Sequence, residues 1–386
     1  RNVGGKTNGN SGLKTTVQQK KTVRIVTVKR TIMAVKAQNK NLHSAKSNKK
    51  DEFYTQLSDI EKELKHYKNH FKDKVVLCNC DDPRVSNFFH FFSYNFERFG
   101  LKKLIATCYK SQDADLFSEN KSERAIYLEY DGDKNGDNIP NPEEIGIRHL
   151  QGDGDFRSKE CIELLKQADI IVTNPPFSLF REYVAQLVEY DKKFVIIGNL
   201  NALTYRDIFK PVKENKLWFG HSIHSGDREF RVPEDYTLSA SSSRIDEIGN
   251  KFIRVKGVRW YTNLDFNERH EDLILYKTYN EDEYPKYENF DAINVNITKD
   301  IPVDYSGAMG VPITFIDKFN PDQFEIIGLG ISNSGLEAGV QPYKPEHKKY
   351  RKEIQKRGAV DGDLYMMKNG IVEVPYARIL IRNKKI

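Results

Sequence analysis

The 386-residue chain has no run approaching the roughly 20 consecutive apolar residues that a membrane helix needs. No span of a bilayer is expected. Cysteine is scarce. Cys78, Cys80, Cys108 and Cys161 are the whole set, and they form no paired C-x-x-C units. That spacing argues against a disulfide framework and against a zinc site, and no metal is expected. Cys78 and Cys80 share one face of a predicted strand and read as buried packing. Such thiol usage fits a reducing cytoplasm. Internal repeats are also lacking.

Acidic residues are missing from the first 50 positions, which carry 13 Lys and Arg and no Asp or Glu. The net charge of +6 therefore misleads, because the remainder holds 48 basic against 55 acidic residues. A nucleic-acid partner of the folded body would have to be held by local basic patches, not by a global field. Residues 1–50 read as a basic, flexible tail. It can grip phosphates without reading sequence; a solubilising tail or a targeting leader is the alternative reading.

What is present is globular. Hydrophobic residues make up 38% of the chain, and the length suits two or three domains. Leu57, Ile60, Leu64, Tyr67 and Phe71 recur at helical spacing. Short apolar strands follow at 74–79, 101–109, 147–156, 169–174 and 192–199, with helices predicted at 84–100, 158–168 and 178–190. The polar stretch 110–148 reads as an insertion or hairpin. Strand–helix alternation implies an α/β fold with a parallel sheet covered on both faces. Ligands of such sheets bind beyond the carboxyl ends of the strands, where every motif below falls. Beyond Asn199 come a helix (204–215), a strand (216–220), a polar loop (221–257) and a strand (259–265). The two strands are expected to close the sheet as an antiparallel pair. Residues 266–386 read as a loop-rich accessory region, so the division is 1–50, 51–265 and 266–386.

The sharpest signal is Asn174-Pro175-Pro176-Phe177, directly after DIIVT. This arrangement suits methylation of a planar amino group whose lone pair is delocalised. Two acceptors aimed at the amino hydrogens, the Asn174 side-chain oxygen and the Pro175 carbonyl, would draw that lone pair back onto nitrogen. The prolines fix φ and hold the carbonyls in place. Phe177 can stack on the ring. The motif alone leaves the substrate open among nucleic-acid bases and protein amides.

The order of motifs narrows it. Asp51-Glu52-Phe53-Tyr54-Thr55-Gln56 lies upstream, followed by CNCDDPRVSNFF (78–89), GDGDFRS (152–158), TNPPFSLFREY (173–183), DKKFVIIGN (191–199), residues 294–315, KFNPDQFE (318–325) and RILIRNK (378–384). Together these resemble the EcoRI-type adenine-specific (N6) DNA methyltransferases over 45–327 and the extreme C-terminus. The resemblance implies the S-adenosylmethionine-dependent methyltransferase fold, a mostly parallel seven-stranded sheet with loop-rich target-recognition and C-terminal elements. It implies S-adenosylmethionine as cofactor, double-stranded DNA as partner and a flipped-out adenine as target, in a restriction-modification or orphan enzyme. Asn174, Pro175, Pro176 and Phe177 would form the catalytic motif. Phe53, Tyr54 and Thr55 would hold the methionine end of the cofactor. Asn79, Asp81 and Asp82 would line the loop near its methionine or ribose, and Asp155 and Phe156 would clasp its adenine. GAATTC is the recognition site by resemblance alone. A monomer suffices, since the substrate is one base on one strand. A methyltransferase acting on RNA or protein, and a catalytically inactive DNA-binding relative, are the competing readings.

Two departures stand out. The first loop lacks the glycines of the common F-x-G-x-G pattern and has NCDDP instead. The second strand ends without the acid that usually grips a ribose; Asp113, Glu129 and Asp131 are the candidates. For DNA, Arg228, Arg231, Arg244, Arg254, Lys256 and Arg259 stand in or beside the 221–257 loop, since Arg and Lys read guanine and grip phosphates.

Overall fold

The computed structural model describes residues 53–81, 86–108, 125–137, 140–141, 144–234, 236–238 and 242–386. The basic arm, Asp82 and Asp113 lie outside the described residues. Helix α1 (Leu57–Leu64) buries Ile60 and Leu64 and leads to β1 (Val75–Cys78). Helix α2 (Asn87–Tyr94) presents Phe88, Phe89, Phe91 and Phe92 inward, and β2 (Lys103–Thr107) follows. Then come β3 (Ile126–Tyr130), β4 (Gly146–His149), α3 (Lys159–Gln167), β5 (Ile170–Thr173), α4 (Phe180–Glu189), β6 (Lys193–Asn199), α5 (Arg206–Lys213) and β7 (Trp218–Phe219). After these come β8 (Asp227–Val232), β9 (Ser243–Ile245), β10 (Lys251–Lys256) and β11 (Val258–Thr262).

The main sheet has eight strands in the order β4-β3-β2-β1-β5-β6-β11-β7. The central four, β2-β1-β5-β6, are parallel. They are the strands the sequence shows as continuous apolar runs, the pattern expected of strands buried on both faces. The expected antiparallel closure by 216–220 and 259–265 is present as β7 and β11. The expected count of seven, mostly parallel, is corrected to eight. Strands β3 and β4 form an antiparallel hairpin on the other flank. The strand expected from 147 is β4, exposed along its whole length and antiparallel to β3, which lies in the stretch read as an insertion or hairpin.

A second correction concerns 221–257. This stretch is a three-stranded antiparallel sheet, β8-β10-β9, and not a loop. The two faces differ along DREFRV and KFIRVK, except that Phe252 is buried on the charged face under Arg244. Phe230, Val232, Ile253 and Val255 face inward, whereas Glu229, Arg231, Arg254 and Lys256 share the other face.

Four more strands, β12 (Ala292–Asn294), β13 (Ala308–Pro312), β14 (Phe324–Leu329) and β17 (Arg378–Asn383), make a sheet ordered β12-β13-β17-β14, and β15 (Met366–Lys368) pairs with β16 (Ile371–Glu373). Two short helices, α6 (Ser332–Glu337) and α7 (Pro345–Glu353), lie between β14 and β15. One apolar core runs through both large sheets, joining Leu77, Ile171 and Ile196 to Met309, Phe324 and Ile381. Arg259 on β11 reinforces this junction. Its guanidinium meets both oxygens of Asp317 at 2.6 and 2.9 Å, with the two side chains only 3% and 5% exposed. It also donates to the His224 carbonyl at 2.5 Å. Arg259 therefore has no surface to offer a partner, and its expected role in DNA contact is corrected to a structural one.

Removing Arg259 would strand the Asp317 carboxylate in the interior. Arg259→Ala is expected to cost about 3–5 kcal/mol in urea unfolding. A variant of unchanged stability with weakened nucleic-acid affinity would contradict this assignment.

Candidate active site

Three strand ends meet at the carboxyl edge of the parallel sheet. At the end of β1, Asn79 is buried and doubly used. Its carbonyl accepts from the Thr173 hydroxyl and its side-chain oxygen accepts from the Tyr183 hydroxyl. These two bonds tie β1 to β5 and to α4. Cys80 follows with φ of 79°, a left-handed conformation that costs roughly 1–3 kcal/mol in a non-glycine residue. The turn that other first loops make with glycine is thus made here under strain. Asp81 is buried and accepts from the Ser86 hydroxyl at 3.3 Å. Asn79, Asp81 and the strained Cys80 do lie in one loop at the expected edge.

At the end of β5, Asn174 is buried and its amide nitrogen donates to the Phe53 carbonyl. A carbonyl can only accept, so this contact fixes which end of the amide is which. The other end, Oδ1, is buried with no hydrogen-bond partner. Such an orphaned acceptor costs stability, about 1–3 kcal/mol, unless a ligand meets it. Pro175 is buried, and the Pro176 carbonyl accepts from Leu179 N–H at 3.0 Å, closing the turn into α4.

Phe53 joins the two motifs. Its ring meets Phe177 edge-on at 5.7 Å, Phe230 at 6.0 Å and Tyr236 at 6.3 Å. Tyr54 pairs through its backbone with Arg231 on β8, with N–H···O bonds of 2.8 and 3.1 Å. The Thr55 carbonyl accepts from the Asn87 side chain at 2.7 Å, and the Thr55 hydroxyl is a second buried polar atom without a partner. The Phe53–Thr55 segment is therefore clamped between β8, α2 and Asn174. Phe230, Tyr236, Asn87 and Tyr183 belong to this constellation and were missed in the sequence. The signal for Phe230 was the alternation of DREFRV.

The third element is the loop 152–158, which runs against the end of β2. Gly154 has φ of 79°, and a Cβ there would lie 2.1 Å from the Cys108 carbonyl. Asp155 is gripped by Arg157 at 2.6 Å, which holds its carboxyl below the usual range. Phe156 is buried against Tyr183 at 5.0 Å. The ribose acids are corrected. Strand β3 runs antiparallel to β2, so Tyr127, not Glu129, reaches the carboxyl end of β2. Glu129 pairs with Lys103 and Arg148, Asp131 with Lys134, and both sit toward the other edge.

Burial pushes the thiols of Cys78 and Cys80 and the hydroxyl of Tyr183 well up. All three stay protonated at neutral pH, so neither Cys78 nor Cys80 offers a thiolate nucleophile. Among the described residues, His66, His221 and Glu268 come close enough to share a metal ion. They lie on segments beside α1 and β7, and the transfer chemistry does not call on them.

On the small sheet, Arg231, Arg254 and Lys256 share the outer face. Arg244 makes a two-pronged pair with Glu229, at 2.9 and 2.5 Å, and lies over the Phe252 ring. Arg228 is on the inner face, 4.0 Å from Asp59.

An α/β methyltransferase fold carries here an Asn-Pro-Pro-Phe turn with an unsatisfied acceptor. The chain matches the family described as adenine-specific methyltransferase EcoRI over residues 41–384, and it belongs to that family. It is 51% identical to the Type II methyltransferase M.EcoRI of Escherichia coli over 356 residues, 92% of this chain and 99% of that protein. It is 42% identical to the Type II methyltransferase M.MpnI of Mycoplasma pneumoniae over 287 residues, 73% of this chain and 83% of the relative. The chain is thus an enzyme, an adenine-specific methyltransferase. No helix among the described residues is long and apolar enough to cross a membrane.

Two glycines with positive φ separate strain from crowding. A Cβ at Gly136 (φ 84°) meets nothing within 4 Å. Gly154→Ala, with backbone only 2.1 Å away, is expected to weaken methyl-donor binding about tenfold or more, as a displaced loop costing over roughly 1.4 kcal/mol would. Gly136→Ala should leave it near wild type. Equal donor affinities in a calorimetric titration would show that the 152–158 loop is not part of the donor site.

Proposed function

We propose that this chain transfers a methyl group from S-adenosylmethionine to N6 of an adenine turned out of duplex DNA, as the modification enzyme of a Type II system. The observation that carries the reading is the buried, unpartnered Oδ1 of Asn174. Adenine N6 is an amine with two hydrogens and a delocalised lone pair, and it supplies the donor that this oxygen lacks. A hydrogen bond to one N6 hydrogen, with the Pro175 carbonyl available for the other, draws the lone pair out of the ring toward sp³ character. Phe177 offers a face for the base. A base inside a duplex cannot reach this turn, so the target nucleotide must leave the stack.

S-adenosylmethionine supplies a methyl carbon on a positively charged sulfur. N6 would take that methyl as the sulfur leaves as a neutral thioether, and one N6 proton would pass to solvent. Such a displacement needs positioning and electrostatics more than a strong base, which agrees with the protonated thiols at this edge. The residues present fit that donor. The Thr55 hydroxyl and the clamped Phe53–Tyr54 backbone would face its methionine end. The Asn79–Asp81 loop would line its middle. Asp155 and Phe156 would take its adenine, with Arg157 holding the Asp155 carboxylate ionised as an acceptor. The outer face of the β8-β10-β9 sheet, with Arg231, Arg244, Arg254 and Lys256, would meet DNA beside the pocket, and Arg228 would act from the sheet's inner side. One chain suffices for one base.

Asn174→Ala removes the acceptor and, with it, the amide that holds the Phe53 carbonyl. Methylation of duplex DNA at saturating S-adenosylmethionine is expected to fall by about 10²–10³-fold, a loss that more donor does not restore. A variant that methylates at the wild-type rate would remove Asn174 from the mechanism.

A further inference from the structure

The folded body is acidic overall, with 48 Lys and Arg against 55 Asp and Glu beyond residue 50. Any grip on a polyanion must therefore be local. Helix α7 and its flanks form a dense basic stretch, and their cations divide into two groups. One group is tied inward. Lys344 pairs with Glu288 at 2.6 Å, Lys348 pairs with Asp361 at 2.5 Å, and Arg351 donates to the Gly358 and Val372 carbonyls. These contacts, with the stacked rings of Tyr343 and Tyr365 at 4.2 Å, hold α7 in place.

The other group, Lys349, Lys352, Lys356 and Arg357, is exposed and has no acidic partner within salt-bridge distance among the described residues. Lys349 and Lys352, three residues apart, share a face of α7, and Lys356 and Arg357 follow just past its end at Glu353, Lys356 with a left-handed backbone of φ 54°. Helix α7 buries no residue fully; Tyr350 packs, half-buried, on the cluster of Tyr343, Tyr365 and Val372, and His347 meets the Tyr365 ring edge-on at 5.6 Å. Among the described residues, the side chains of these four cations make no hydrogen bond or ion pair within the fold.

Their place in the fold gives them a use. Strand β6 ends at the catalytic edge in Asn199, and the chain runs on to Arg206, which pairs with Glu337 at 3.3 Å. Helix α6 closes one side of a recess shared with Thr204 and Tyr205. Its Ser332 N–H is held by Asp363 at 2.9 Å, and Gly335 abuts the Gly362 carbonyl so closely that a Cβ would lie 1.9 Å from it. Asp361, the neighbour of that glycine, anchors Lys348. Arg206, seven residues beyond Asn199, thus ties the strand that ends at the catalytic edge to helix α6, and α6 abuts the 361–363 turn that anchors α7 through Lys348; Asn199 itself donates to the Lys256 carbonyl of the small sheet at 2.8 Å.

We infer, resting on the DNA reading above, that Lys349, Lys352, Lys356 and Arg357 form a second DNA-backbone site, which grips duplex phosphates outside the target base independently of sequence. Each phosphate no longer neutralised should lower the salt dependence of binding by about one unit of log K per log salt.

The test compares two four-fold variants of the full chain. One is Lys349→Gln, Lys352→Gln, Lys356→Gln and Arg357→Gln. The other removes equal charge at the opposite, amino edge of the sheet: Lys72→Gln, Lys74→Gln, Lys102→Gln and Lys193→Gln, all exposed. Binding to cognate and unrelated duplexes is measured across salt concentrations, with thermal unfolding as a check on folding. The first variant is expected to bind both duplexes at least about tenfold more weakly at low salt, with a slope smaller by about three to four units. The amino-edge variant should change far less. Equal effects from the two variants would overturn the site and leave only net charge. An unchanged slope in a folded first variant would also overturn it, while wild-type methylation of duplex DNA keeps the functional reading intact. A wild-type chain that neither binds nor methylates duplex DNA would sink both.

Discussion

The donation from the Asn174 amide to the Phe53 carbonyl is the contact on which the active edge depends. It settles the orientation of an amide that could otherwise turn over, and it leaves an oxygen buried and unmet. The same bond fixes the distance between two motifs 121 residues apart in sequence. Phe53 then serves as a hub, carrying Phe177 on one side and Phe230 and Tyr236 on the other. Through Tyr54 and Arg231 the small antiparallel sheet is fastened to that hub. The small sheet and the reacting turn are thereby coupled through one short stretch of chain.

Two unusual backbone positions lie at the active edge. Cys80 holds a left-handed backbone in the first loop, and Gly154 lies too close to the Cys108 carbonyl for any side chain. Neither feature stabilises the fold. Both bring backbone close to the space at the ends of β1 and β2, which is where a ligand of an open α/β sheet is bound. An apolar core runs between the two larger sheets, and one buried ion pair, Arg259–Asp317, is closed at their junction.

The central sheet was legible because β1, β2, β5 and β6 are buried on both faces and read as continuous apolar runs. The Asn-Pro-Pro-Phe turn was legible because few other turns need two prolines after a buried strand. The flanking hairpin was legible only in part: a hairpin in 110–148 and a strand from 147 were expected, but β4 shows every side chain to solvent, so neither its pairing nor its antiparallel direction left a trace. The small sheet was hidden for a related reason: its outward residues are charged, so the polar count of the segment outweighed its alternation. Arg259 was misread because a sequence shows charge but not its partner, and Asp317 is 58 residues away. Glu63 illustrates the same limit. Its carboxylate is fully buried and accepts from the His221 and Ser222 N–H groups and the Tyr67 hydroxyl, a role no local pattern announces.

The unmet oxygen of Asn174 calls for an adenine amino group in DNA, and one measurement tests that pairing directly. The chain is incubated with methyl-labelled S-adenosylmethionine and unmethylated genomic DNA, and the product is digested to nucleosides and separated. Label is expected in N6-methyl-deoxyadenosine, confined on sequencing to one short motif. Label in methylated cytosine, or label found in RNA or protein with none in DNA, would contradict it.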